Sequence, residues 1–213
     1  MHYIETILPS LLSGAWMTLK VFFWTIVGAV PLGILAGLGL KSNIAPLRWV
    51  LNGYVWLMRG TPLLLQLIFV FYGLPIIGIV FQRYDAALFA FILNYAAYFA
   101  EIFRGGIQAV PQGQYEAAKV LHLSPMQTQR KIILPQVFKS VVPPIGNEVI
   151  NLIKDSSLVY VIGLGDLLRA GNIAAARDVT LTPFIMVGII YLLLTAVTTL
   201  ALRAFEKHYS YYK

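Results

Sequence analysis

The sequence predicts an all-α integral membrane protein with about five transmembrane helices, and three observations lead there. The 213-residue chain is 59% hydrophobic and only 12% charged, about half the charged fraction usual in soluble domains. Apolar runs of roughly 20 residues, the length that crosses a bilayer's hydrocarbon core, recur along it. Its basic residues, whose excess over acidic ones gives a formal charge of +7, are spread between the apolar runs rather than clustered. That distribution sets topology in membrane proteins and does not build a nucleic-acid surface, so no nucleic-acid partner is expected.

The first run ends in "VFFWTIVGAVPLGILAGLGL" (21–40), with a soft upstream boundary near Leu11. The N-terminus has neither a basic start nor a small-residue cleavage site, so this run is expected to stay as an anchor. The second run covers 50–81 and is interrupted by "RGTP" (59–62), the third is "ALFAFILNYAAYFAEIF" (87–103), the fourth spans 138–168, and the fifth is "PFIMVGIIYLLLTAVTTLAL" (183–202). A single transmembrane domain over 1–213 follows, with one long polar segment at 104–136 between the third and fourth runs.

Lys41, Arg48, Arg104, Lys119, Arg130, Lys131, Lys139, Arg203, Lys207 and Lys213 share one side of this topology, against Arg83, Arg169 and Arg177 on the other. The positive-inside rule makes the first side cytoplasmic. The N-terminus is then outside and the C-terminus inside. Trp49, Trp56, Tyr209, Tyr211 and Tyr212 fall where interfacial anchors are expected.

The cytoplasmic 104–136 segment is patterned. Helix-forming "QYEAAKVLHL" precedes "SPMQ", in which Ser124 suits an N-cap, Pro125 the first helical position and Gln127 the third. Two short helices with a bend near His122 to Ser124 are predicted, closed by Pro135 as the chain returns to the membrane. Such an elbow is a docking surface. Plain loops joining two spans need no capped helices.

Glu116-Ala117-Ala118, followed by Ile132 and Leu134-Pro135, resembles the EAA loop of the membrane subunits of bacterial ABC importers, with His122 where that family has Gly. "RGTPLLLQL" (59–67), "AAYFAEIFRGGIQAVPQGQ" (96–114) and "KDSSLVYVIGLGDLL" (154–168) resemble the polar amino acid branch of those permeases, the His/Glu/Gln/Arg type. The resemblance implies a multi-pass protein of the bacterial inner membrane that moves polar amino acids into the cytoplasm. It also implies a cytoplasmic ABC ATPase dimer gripping the elbow, a second permease subunit, identical or paralogous, and an extracytoplasmic amino acid-binding protein. ATP and Mg would bind the ATPase, and no cofactor this chain. Consistent with that, "GLGLKS" (37–42) has Leu40 where a phosphate-binding loop needs Gly and follows no strand. His at the Gly position suits a left-handed turn better than most side chains.

Polar residues inside apolar runs mark the path. Glu148, Asn151 and Asp155 share a helix face at i, i+3, i+7. Lys154, Ser156 and Ser157 accompany them, and intramembrane polar groups face a bundle interior or a water-filled cavity. Lys154 and Asp155 point about 100° apart on a helix, so each either pairs across the bundle or lines the path. Asp155-Ser156-Ser157 also has N-cap chemistry for a helix starting at Leu158. That start would aim backbone N–H groups at a substrate carboxylate; the alternative is an unbroken helix whose serines bond back to the preceding turn. Gln66 and Asn94 are path candidates or interhelical hydrogen bonds. Glu101 can pair with Arg104 at i+3. Arg59, Thr61 and Pro62 are gate candidates, because proline breaks helical hydrogen bonding, although Arg59 could equally be a snorkelling anchor. Gly33 and Gly37 make a GxxxG pair suited to close helix packing.

Two other functions fit less well. A self-sufficient secondary carrier or channel subunit would need more spans or an inverted repeat. An intramembrane enzyme would need a nucleophile or metal cluster. The chain has no Cys, its His2, His122 and His208 lie outside the runs, and HExxH and GxSxG are absent. Neither catalytic nor metal-binding residues are expected.

Overall fold

The computed structural model describes residues 2–209, with side chains over 3–207; Lys213 and the anchors expected at Tyr209, Tyr211 and Tyr212 lie outside the described side chains. The helices are α1 (His2–Leu40), α2 (Ala45–Gly60), α3 (Leu63–Ile68), α4 (Arg83–Gln108), α5 (Gln112–Val120), α6 (Pro125–Thr128), α7 (Leu134–Asp155), α8 (Leu167–Asp178) and α9 (Thr182–Tyr209), joined in places by short π or 3-10 turns. α1, α4 and α9 are each long and apolar enough to span a membrane. Two bent pairs raise the number of spans to 5: α2 with the run Leu63–Ile77, bent by 104°, and the run Pro125–Ile162 with α8, bent by 54°.

α1 runs unbroken for 39 residues through Pro9 and Pro31, about 58 Å at 1.5 Å per residue. The expected boundary near Leu11 is therefore not a boundary. Ile7, Leu11 and Ala15 form an i, i+4, i+8 stripe buried against Leu167, Ala174 and Val187 of α8 and α9. This tertiary contact keeps the polar-interrupted first half helical.

α4 is the central helix, with Phe91, Tyr95 and Phe99 buried. Against it lie Gly33 and Gly37 of α1, where an added Cβ would stand 2.4 Å from Phe99 Cβ and 2.9 Å from the Ala100 carbonyl oxygen. The absence of both side chains lets the helices touch. In lipid, where apolar burial gives helices little net drive to associate, such close packing is a main source of cohesion. On α9, Leu192, Leu193, Val197 and Leu200 stay exposed, as lipid contact requires.

The 50–81 run is not one straight span. Thr61 (φ −121°, ψ 147°) and Pro62 (φ −62°, ψ 134°) are extended, because Pro has no N–H and pushes its predecessor out of the helical region. Side chains satisfy the freed groups. Gln66 Nε2 donates to the Met58 carbonyl (2.9 Å) and Thr61 Oγ1 (2.8 Å), and Asn94 Nδ2 donates to the same carbonyl (2.9 Å) and to Gln66 Oε1 (3.0 Å). Thr61 Oγ1 in turn donates to the Leu57 carbonyl at 2.8 Å. Asn94 is buried. Asn94→Leu is expected to destabilise by about 1–3 kcal/mol, the usual cost of stranding buried polar partners, and to lower the melting temperature in detergent. An unchanged melting temperature would mean the break holds without this clamp.

The elbow forms as its sequence predicts at two points. His122 is left-handed (φ 53°); its N–H bonds the Lys119 carbonyl and the Leu123 N–H the Ala118 carbonyl, both at 3.0 Å. Those two bonds are a Schellman end to α5, in the position that most often takes Gly. Ser124 and Gln127 form the reciprocal capping box. The expected closure at Pro135 differs. A π turn over Gln129–Ile133 joins α6 to α7 as continuous helix, with Leu134 N–H bonding the Gln129 carbonyl. This widened turn lies just before Pro135, which has no N–H to offer the ladder.

Candidate functional site

The candidate path lies between α4 and α7. Tyr95 O–H donates to Asp155 Oδ2 at 2.8 Å, satisfying a buried phenol that needs a partner and fixing the carboxylate. One turn back on α7 lies Asn151, and Glu148 continues the same helix face. Glu148, Asn151 and Asp155 lie on one stripe, each partly accessible. Among the described residues no cation lies within 4.0 Å of either carboxylate, so this wall is acidic and uncompensated at close range.

Its end toward the elbow is a charge cluster. Arg104 Nε donates to Glu101 Oε2 at 2.9 Å and Arg104 Nη2 reaches Glu101 Oε1 as well, which is the i, i+3 pair read from the sequence. Arg59, at the end of α2, stands 3.9 Å from Glu101 and over the Tyr98 ring at 5.3 Å. Arg59 therefore stands beside the Glu101 carboxylate of α4, directly before the bend at Thr61-Pro62.

The other predicted path residues fall elsewhere. Gln66 and Asn94 spend their polar groups on the α2–α3 break. Lys154 is exposed and makes no ion pair with Asp155. Ser156 is fully buried, and Ser156 Oγ and Ser157 Oγ donate to the carbonyls of Ile153 (2.6 Å) and Lys154 (2.7 Å).

The helix start expected at Leu158 does not exist. Asp155 is helical (φ −65°, ψ −27°) and caps nothing, and the chain tightens into a 3-10 turn over Ser156–Ile162. Gly163 then turns left-handed (φ 78°), and Asp166 is the true N-cap. The Asp166 carboxylate accepts from the N–H groups of Leu168 (3.0 Å) and Arg169 (3.2 Å) and is fully buried. This helix N-terminus already holds a carboxylate of its own, and none is left for a ligand. "GLGD" was the available signal, a glycine turn followed by a capping residue. Tyr95 had no comparable signal.

On the elbow, Glu116, Ala117 and His122 are exposed, Ala118 is buried, Ile132 is half-buried, and Leu134 and Pro135 are exposed. Val120, Leu121 and Met126 add large apolar surface at the tip. Exposed apolar side chains clustered beside polar ones mark interaction sites.

Residues 29–211 match the profile of a family described as binding-protein-dependent transport system inner membrane component. The chain belongs to that family. Among relatives of this transport component, the arginine transport system permease protein ArtQ of Bacillus subtilis (strain 168) is 40% identical over 202 residues, covering 94% of this chain and 92% of the relative. The glutamine transport system permease protein GlnP of Escherichia coli (strain K12) is 34% identical over 207 residues, covering 94% and 93%. The crystal structure of an amino acid ABC transporter with histidines superposes with a TM-score of 0.91 at 36% identity, covering 96% of each chain. An inward-facing structure of the MetNI methionine ABC transporter reaches 0.77 at 22% identity, covering 97% of this chain and 99% of that one, which bears on fold alone.

Proposed function

We propose that this transport component is the membrane subunit of an ATP-driven importer that brings polar amino acids, cationic ones foremost, into the cytoplasm by alternating access. The observation that carries the reading is the acidic stripe of Glu148 and Asp155, with Asp155 held by Tyr95. Two carboxylates without a close cation attract an ammonium or guanidinium group. Lys154 is exposed and forms no ion pair with Asp155 to offset that charge. The relative named for arginine and the related structure containing histidines support the same substrate class.

In this reading Arg59 is the moving part. It rests against Glu101 and Tyr98 beside a helix break that tolerates a hinge, and its exchange between Glu101 and Glu148 would open or close the elbow end of the path. Thr61 and Pro62 make the hinge. A separate ATPase supplies the energy through the elbow, a second permease subunit completes the path, and an extracytoplasmic binding protein delivers the solute. The N-terminus outside and the C-terminus inside follow from the charge distribution.

Proteoliposomes holding the chain with its ATPase test this. ATP-dependent uptake is expected for arginine, lysine and histidine ahead of glutamine and glutamate. Uptake by the chain alone, driven by an ion gradient, would make it a secondary carrier and overturn the proposal.

A further inference from the structure

An open groove of about 1260 Å³ runs at the elbow end of the molecule between α1, the end of α4 and the start of α7. Its walls are apolar, with Ile34, Leu38, Ile107, Leu134 and Phe138 among them, and Gly106 lets α4 and α7 close its floor, since a Cβ there would stand 2.3 Å from Val141 Cγ1. Leu38, Leu134 and Phe138 are exposed to it by 52%, 50% and 43%. Arg130, Lys131 and Lys139 also border the groove, all exposed, and among the described residues no acidic side chain lies within 4.0 Å of any of them.

We propose that this groove binds one anionic phospholipid, its acyl chain along the α1–α7 walls and its phosphate among Arg130, Lys131 and Lys139. Charge complementarity selects this occupant. A purely apolar helix would leave three cations unpaired, whereas an anionic amphiphile matches both the walls and the basic rim. Arg130 and Lys139 are nine positions apart, about 14 Å along a helix, so the cations follow a headgroup and its glycerol downward. The groove borders Leu134 and Pro135 of the elbow, which under the proposed function is the part that meets the ATPase. The inference does not depend on which solute is transported.

Native mass spectrometry of the full chain, released from neutral detergent with equimolar palmitoyl-oleoyl phosphatidylglycerol and phosphatidylcholine, tests it. Each cation near a lipid surface is worth about fivefold in affinity. The chain is therefore expected to retain one phosphatidylglycerol with at least tenfold preference, and the triple variant Arg130→Gln, Lys131→Gln, Lys139→Gln to lose that preference. Two controls keep the result tied to the groove. Lys41→Gln with Arg48→Gln should leave binding unchanged, and Leu38→Trp, which fills the groove from an exposed position, should lower it. Equal retention of the two lipids by the unmodified chain would overturn the proposal. So would a preference that survives the triple variant, or a triple variant that loses self-association instead of lipid, which would assign the groove to a second copy.

Discussion

Asp155→Asn is expected to reduce ATP-driven uptake of a cationic amino acid by about tenfold or more, while the complex assembles normally and melts within a few degrees of the unmodified protein. The amide keeps the shape and one acceptor oxygen, so the bond from Tyr95 O–H (2.8 Å in the native chain) can persist. What disappears is the negative charge. A hydrogen bond to a charged group contributes roughly 1.5–3 kcal/mol, and each 1.4 kcal/mol is about tenfold. A structural ion pair would behave oppositely, since removing one partner strands the other at a cost of about 3–5 kcal/mol and the fold suffers first. No such pair joins Asp155 to Lys154, so a loss of assembly with intact specific uptake would contradict the assignment.

Glu116→Lys is expected to break coupling. Glu116 is exposed on α5 of the elbow, as are Val120, Leu121 and Met126 near its tip. Placing a like charge against a partner's cation costs several kcal/mol. Membrane insertion and melting should therefore be unaffected while ATPase co-purification, or uptake per ATP hydrolysed, falls by about tenfold or more. Ala118 differs: it is buried under the elbow, and enlarging it should damage the elbow itself. Normal coupling in Glu116→Lys would remove this carboxylate from the docking surface.

The parts of the fold legible in the sequence are those set locally. Ser124, Pro125 and Gln127 spell a capping box that forms wherever the flanking helix does, and Thr61-Pro62 marks the break in the second run, although α1 continues through Pro9 and Pro31. The left-handed turn at His122 is what the resemblance implies, since His122 stands where that family has Gly. The rest depended on contacts between distant segments. Residues 2–20 are helical because Ile7, Leu11 and Ala15 find α8 and α9, which no local pattern announces.

Asp-Ser-Ser at 155–157 and Gly-Asp at 165–166 are both good capping sequences, and the helix starts behind the second, at Leu167, nine residues beyond the start expected at Leu158. Burial chooses between them: the Leu167 N–H also reaches Thr18 Oγ1 at 3.2 Å, and the Asp166 carbonyl lies 2.7 Å from where a Cβ of Gly14 would be. α1 thus receives the second cap and leaves the first unused. The stripe of Glu148, Asn151 and Asp155 followed from helix periodicity alone. Its anchor Tyr95 did not, since nothing in "NYAAY" tells which tyrosine faces α7.

The chain has no native cysteine, so accessibility of single introduced cysteines tests the path most directly. In the assembled transporter, cysteines at Asn151 and Asp155 should react with small aqueous thiol reagents, and saturating substrate should slow both reactions, while a cysteine at Ser156, fully buried in the native fold, should stay unreactive. If positions 151 and 155 remain as silent as position 156 with and without ATP, the stripe is sealed in protein and the solute crosses elsewhere.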